Sequence, residues 1–358
     1  MKVLHVAALT MKQSSGPTYS VPSYVKAQNN LDGITSDLLI SIKTDKRNEK
    51  YFYIDDFKSK KALLEFIKCY DIVIFHSNYI INHVKVARLL KLNSIPYVIV
   101  PRGGFTKGSK NIKRWKKKIA DILIFNKFFN SPNAIQFLTN MERDESVHRT
   151  NCDFILPNGI TMPKISKEIS TNGDIKIVFI GRLDMYHKGL DMLLEAISLI
   201  KRRLAEENVF INMYGPDIRN AKRELLQLIT SYEVENIIKI NGPVFEEDKT
   251  KVLCNSDIFI QTSRFEGLPM GVLEALSLGL PCILTPGTNL SSEVRNYNAG
   301  VEVKPNSSSI SKGIITMIEK IKNDNELSQN AIVLANKYSW ENIAKDSIEK
   351  YKEILRES

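Results

Sequence analysis

The chain has 358 residues, 43% hydrophobic and 25% charged, with a formal net charge of +10. This is the composition of an ordinary globular protein, long enough for two domains with separate cores. No stretch approaches 18 consecutive apolar residues, which argues against a membrane span. Cys69, Cys152, Cys254 and Cys282 form no C-x-x-C pair, which argues against a zinc site or a disulfide framework and for a reducing cytoplasmic compartment. The charge is uneven: residues 1–160 carry 25 Lys+Arg against 13 Asp+Glu, whereas residues 161–358 carry 25 against 27. A partner of the first half with negative charge is expected: a membrane surface, a phosphate-bearing acceptor or nucleic acid.

Val3 to Leu9 reads as a first strand, because its apolar run is too short for the core of a signal peptide. A polar turn, Gln13 to Thr18, leads into a helix from Ser20 to Leu31, and a Gly16-containing turn between strand and helix can offer backbone amides to a phosphate. Ile34 to Ile42 and Tyr51 to Ile54 read as strands, Ser59 to Cys69 as an amphipathic helix, and Asp71 to His76 as a buried strand. His76 then lies at a carboxyl strand end, where ligands of parallel sheets gather, although a lone histidine is more often structural. Helix Asn82 to Lys91 precedes strand Pro96 to Val100, which runs into Pro101-Arg102-Gly103-Gly104 and sets Arg102 on the same side.

A basic run follows, comprising Lys107, Lys110, Lys113, Arg114, Lys116, Lys117 and Lys118 around Trp115, with apolar residues Ile119 to Phe129 after it. Basic residues beside an aromatic suit an anionic lipid surface, with a solvated helix face as the competing reading. No nucleic-acid reader motif accompanies the charge. Gln136 to Asn140 and Phe154 to Ile160 close a first domain, 1–160, and the polar segment Thr161 to Gly173 reads as a linker.

The second domain, 174–337, opens with strand Ile175 to Ile180. Gly181-Arg182-Leu183-Asp184 follows, and Lys188-Gly189-Leu190 enters a helix to about Ile200. Arg182 as a planar fork and Lys188 as a point charge can clamp a diphosphate at a carboxyl strand end. A strand ending at Asn212 to Pro216, helix Ala221 to Tyr232 and strand Ile237 to Val244 continue the alternation, which by itself indicates an α/β fold. The stretch around which the chain is organised comes next. Strand Asp257 to Ile260 runs into the turn Glu266-Gly267-Leu268-Pro269, and a helix is expected to start at Pro269 and stop at Gly279, before strand Cys282 to Thr285. The helix start exposes unpaired N–H groups and a positive dipole end, a site for phosphate, with Glu266 beside it and Glu274 roughly 7–8 Å along the axis at about 1.5 Å per residue. Ser291-Ser292-Glu293 can cap a further helix, and Ser339 is the expected N-cap of a last helix within 338–358.

Two glutamates alone are more simply a solvated turn residue and a surface helix residue. Taken whole, Glu266-Gly267-Leu268-Pro269-Met270-Gly271-Val272-Leu273-Glu274-Ala275-Leu276, followed by Gly279-Leu280-Pro281, resembles the E-x7-E signature of family 4 (group 1) retaining glycosyltransferases. Gly181-Arg182-Leu183 with Lys188-Gly189 matches the same family's donor-phosphate site, and Pro101-Arg102-Gly103 resembles a branch found in polysaccharide assembly.

The resemblance implies the GT-B architecture: two Rossmann-like domains with parallel sheets facing across a cleft. The first binds the acceptor, the second binds the donor, and the last helix crosses back to the first. It implies transfer, with retention, of a sugar from a nucleotide diphosphate sugar, UDP-linked as first choice. The acceptor would be a hydroxyl of a saccharide or lipid-linked saccharide in cell-surface polysaccharide biosynthesis. Glu266, Arg182, Lys188 and Arg102 form the implied catalytic set. The donor contacts would be Gly16, Arg182, Lys188, Val244 (beside the base), Glu266, Gly267, Leu268, Pro269 and Glu274 (on the ribose). His76 and Arg102 would meet the sugar or acceptor. Relatives often carry histidine where this chain has Arg102, a substitution that keeps a cation but removes a group titrating near neutrality. Neither a metal nor another cofactor is expected, since no D-x-D signature occurs and two cations already serve the phosphates. The expected location is the cytoplasm, peripheral at the inner face of the plasma membrane. Two alternatives are a sugar-nucleotide epimerase of similar architecture, for which no acid/base residues can be placed, and a non-catalytic scaffold, expected to have lost Arg182, Lys188 or Glu266.

Overall fold

The computed structural model describes residues 1–9, 16–44, 47–106, 124–164, 173–218, 220–324 and 326–357. The chain divides into two compact units, Met1–Gly159 with Trp340–Ser358, and Ile160–Ser339. The basic run and the greater part of the expected linker lie outside the described residues.

The first unit is a seven-stranded parallel sheet of β1 (Lys2–Ala7), β2 (Thr35–Ile40), β3 (Phe52–Tyr53), β4 (Ile72–His76), β5 (Tyr97–Val100), β6 (Ala134–Phe137) and β7 (Phe154–Ile155), in the order β3-β2-β1-β4-β5-β6-β7. In register, Ala7 lies opposite His76, and His76 opposite Val100. β4 and β5 are buried throughout, as strands covered on both faces must be. One face packs Leu4, Val6, Val73, Phe75 and Ile99 against the aromatic residues Phe105, Phe128 and Phe129. The other packs Val3, Ile72, Ile74 and Val98 against Ile348, Tyr351 and Ile354 of the last helix, Trp340–Glu357.

The second unit is a six-stranded parallel sheet of β8 (Ile175–Ile180), β9 (Val209–Tyr214), β10 (Ile238–Asn241), β11 (Ile258–Gln261), β12 (Cys282–Leu284) and β13 (Gly300–Glu302), in the order β10-β9-β8-β11-β12-β13. Both orders reverse once, between β1 and β4 and between β8 and β11. In an open parallel sheet such a reversal opens a crevice at the carboxyl ends of the strands.

Several element boundaries differ from the sequence expectation. The first helix runs Gly16–Asn29 and holds Pro22 inside, so it takes in part of the expected turn. The strand expected over Tyr51–Ile54 keeps two residues before a 3-10 turn, Ile54–Asp56. The helix entered at Leu190 stops at Leu199, where the sequence expectation put its end, but a further short helix, Lys201–Glu206, follows it. Pro269 precedes rather than begins the helix Met270–Ser277: its ψ of 92 is extended, while its carbonyl accepts the N–H groups of Val272 (3.0 Å) and Leu273 (3.3 Å). Gly279, at φ +81, ends that helix, with the N–H of Leu280 returning to the carbonyl of Ala275 at 3.0 Å. Ser291 lies inside the helix Ser291–Asn296, and the preceding Leu290 makes no side-chain cap.

Candidate active site

In the second unit the polar side chains collect at the β8/β11 reversal. Arg182 follows β8 by two residues; it is exposed and makes no hydrogen bond or ion pair to the described residues. The turn after it brings Lys188 back over Gly181, whose added Cβ would lie 3.5 Å from the Lys188 ammonium. Lys188 is 8% exposed and forms an ion pair with Glu266 Oε1. The same oxygen accepts from Gln261 Nε2 (3.1 Å) and Ser263 Oγ (2.8 Å). A nearly buried cation is tolerable only when paired, and the pair and its two neutral donors hold each other in place.

The backbone is strapped as tightly. Gly189 has φ +63, and a Cβ there would overlap the carbonyl of Thr262, whose own hydroxyl donates to the carbonyls of Lys188 (3.2 Å) and Gly189 (3.1 Å). Asn289 Nδ2 donates to the carbonyls of Glu266 (2.6 Å) and Gly267 (3.0 Å), closing the turn from behind. Arg264 grips Asp191 with two hydrogen bonds (2.8 and 2.6 Å) and lies over the ring of Tyr186. Tyr186 and Phe265 stand 64% and 45% exposed beside the site.

Gly267 is exposed, Leu268 half-buried and Pro269 buried at the entry to Met270–Ser277. Glu274 lies one turn into that helix and is ion-paired to Lys249 of helix Glu246–Cys254. Val244 is half-buried in the loop after β10. The structure therefore gathers Arg182, Lys188 and Glu266 at one reversal point and holds Glu274 by a separate cation.

In the first unit, Gly16 begins the first helix, and Arg102 and His76 meet at the ends of β5 and β4. Arg102 has left-handed φ 51, and its Nη2 donates to His76 Nδ1 at 3.2 Å. Burial lowers its pKa to about 10. His76 is 1% exposed, so the expectation that its ring meets a ligand is corrected: both ring nitrogens are already bonded, one to Arg102 and one to His5. Burial, the Arg102 charge and the neighbouring histidines His5 and His83 hold His76 well below the usual histidine range.

Sequence reasoning missed Gln261, Ser263, Asn289 and His5. Gln261 and Ser263 flank the motif and could have been read as its supports. His5 had a signal too, as the one polar residue between Val3 and Ala7 in a strand expected to be buried. Among the described residues, no group of three His, Cys, Asp or Glu could hold a metal ion, and no helix is long and apolar enough to cross a membrane.

Residues 162–333 match the model of the glycosyl transferases group 1 family. That match covers 172 of the 358 residues and most of the second unit. The chain is 26% identical over 271 residues to the Escherichia coli UDP-Gal:alpha-D-GlcNAc-diphosphoundecaprenol alpha-1,3-galactosyltransferase, covering 71% of this chain and 68% of that one. It is 26% identical over 208 residues to one subunit of the human phosphatidylinositol N-acetylglucosaminyltransferase, a match spanning 57% of this chain and 42% of the relative. It thus spans less than half the length of that human relative. Its fold, GT-B, is that of a glycosyltransferase crystal structure from Rickettsia africae, with a TM-score of 0.70 at 20% identity over 100% of this chain and 99% of the other.

Proposed function

We propose that this chain is a group 1 glycosyltransferase, moving a sugar, with retention of anomeric configuration, from a UDP-sugar to a hydroxyl of a saccharide or lipid-linked saccharide in cell-surface polysaccharide assembly. One observation carries the reading: at the β8/β11 reversal an exposed Arg182, unpartnered among the described residues, lies beside the buried Lys188–Glu266 pair. A diphosphate entering there meets a free guanidinium and an ammonium already held in place by a carboxylate. Charge developing on the leaving diphosphate is stabilised by Arg182 and Lys188, and by the N–H groups of Leu268 and Met270 on either side of Pro269 and those near Gly16, with no metal required. Glu266, anchored through Oε1, offers its carboxylate to sugar hydroxyls, and Glu274 accepts from the ribose while Val244 borders the base. Arg102 holds an anionic or hydroxyl group of the sugar or acceptor. Neither glutamate is a nucleophile, so the two-carboxylate logic of retaining glycosidases does not apply. The donor names carried by the relatives support this reading, as does the +12 charge of residues 1–160 for a peripheral site at an anionic membrane on the cytoplasmic side.

Incubation with a panel of UDP-, GDP- and dTDP-sugars, read by thermal shift and by slow nucleotide release, tests it. One donor, a UDP-sugar, should stabilise the protein and be hydrolysed, and both effects should vanish in Lys188→Ala and Glu266→Ala. No response to any sugar nucleotide would overturn the assignment.

A further inference from the structure

Among the described residues, Arg102 is hydrogen-bonded by neutral partners alone. Its Nη1 donates to Ser20 Oγ (3.0 Å) and Asn158 Oδ1 (3.2 Å), and its Nη2 to His76 Nδ1 (3.2 Å). Among the described residues no carboxylate lies within ion-pair distance. Glu142, whose charge reaches it, is spent on the N–H groups of Gly103 and Leu138. The left-handed backbone at Arg102 costs energy in a residue with a side chain, so its surroundings must hold it there.

The hydrogen bonds behind Arg102 can run in only one direction. Arginine has donors and no acceptor, so His76 Nδ1 accepts and the ring proton sits on Nε2. That Nε2–H donates to His5 Nδ1 at 2.8 Å, which puts the His5 proton on Nε2, and this in turn donates to Gln28 Oε1 at 2.8 Å. Gln28 Oε1 also accepts from Ser36 Oγ (2.8 Å), while Gln28 Nε2 donates to Ser347 Oγ (2.9 Å), whose proton goes to the carbonyl of Ala344 (2.6 Å). The rings of His5 and His76 lie end to end and nearly coplanar, their centroids 5.1 Å apart and their planes 13° apart, with Tyr24 edge-on to both. A second proton on either ring would set two donors against each other beside a guanidinium. This hydrogen-bond chain exists only with both histidines neutral.

We propose that His76 and His5 are positioning residues: a one-way chain of hydrogen bonds from Arg102 to Ser347 of the last helix, which fixes the guanidinium for an anionic group of the substrate. The functional part rests on the reading of Arg102 as a member of the transferase site. The groups facing the two rings are Arg102, Tyr24, Gln28 and, by its field, His83. None of them is an acid that would favour a charged ring.

Two variants split the chain at its middle. His76→Asn places an acceptor where Nδ1 stood, and His76→Gln keeps a donor toward His5 but gives Arg102 no acceptor. In 15N-labelled full-length protein, both rings should remain Nε2–H tautomers from pH 8 to 5.5, and the Arg102 Nη signals should stay resolved in the parent and in His76→Asn but broaden in His76→Gln. With UDP-galactose and UDP-glucose as probes, His76→Gln should lower the turnover of UDP release roughly ten- to a hundredfold at nearly unchanged KM, and His76→Asn should rescue it to within about threefold. Titration of either ring near 6.5, an Nδ1–H tautomer, or equal losses in the two variants would overturn the proposal. If the parent releases nucleotide from none of the UDP-, GDP- and dTDP-sugars, the transferase reading fails, while the tautomer and Arg102 signals still decide the chain.

Discussion

Three buried histidines set how residue chemistry and stability meet in the first unit. His5 is lowered to about 4 and His83 to about 3, both chiefly by burial, and His76 is lowered well below its usual range. Their folded pKa values lie below the unfolded value of about 6.5, so the unfolded chain binds more protons as the pH falls. Their contribution is complete above about pH 7 and is lost on acidification toward pH 4. Between pH 7.5 and 5.5 the three together should cost on the order of a few kcal/mol. Urea unfolding of the first unit, followed across that range, should show the midpoint falling, and a flat profile would contradict buried neutral rings. Arg102 behaves differently: even lowered to about 10, its pKa leaves it charged throughout.

At the scale of elements, the proposed donor site depends on how β8 and β9 end. Gly181 N–H bonds to the carbonyl of Tyr214 (2.9 Å) and Leu183 N–H to that of Pro216 (2.9 Å), so the two strand ends close over Gly215. A Cβ at Gly215 would overlap the backbone carbonyl of Gly181, whereas at Gly267 it would meet nothing within 4 Å. Gly215→Ala should therefore destabilise the second unit by about 2–4 kcal/mol and disturb Arg182, visible as a lowered unfolding midpoint. Gly267→Ala should fold like the parent and lose only affinity for the sugar nucleotide. Equal stability of the two variants would show that the strand ends do not clamp the site.

On the scale of the whole molecule, the chain leaves the second unit at Ser339 and ends as a helix of the first. There Tyr351 is fully buried and its hydroxyl lies 3.2 Å from that of Tyr24. Charge is distributed just as unevenly, with the excess of cations in the first half. We expect the parent to bind vesicles containing phosphatidylserine or phosphatidylglycerol, and Lys116→Gln/Lys117→Gln/Lys118→Gln to weaken that binding several-fold in low salt. Unchanged sedimentation with vesicles would remove the membrane from the account.

Fold class and the organising motif were legible in the sequence because both are local. Alternating buried strands and helices follow from hydrophobic period, and Glu266 through Glu274 is one continuous turn and helix start. Arg182 and Lys188 were legible for the same reason, lying six residues apart after one strand. The ends of elements were less so: the first helix starts at Gly16 rather than Ser20, and a further short helix, Lys201–Glu206, follows the expected end at Ile200. The partners were decided by the tertiary structure alone. Lys188 and Glu266 are 78 residues apart in the chain, His5 and His76 71, and Gln28 and Ser347 319. No local spacing encodes such pairs. They follow from strand order, which sets β1 beside β4 and β8 beside β11, and from burial, which forces each polar group it encloses to find its hydrogen-bond partner there.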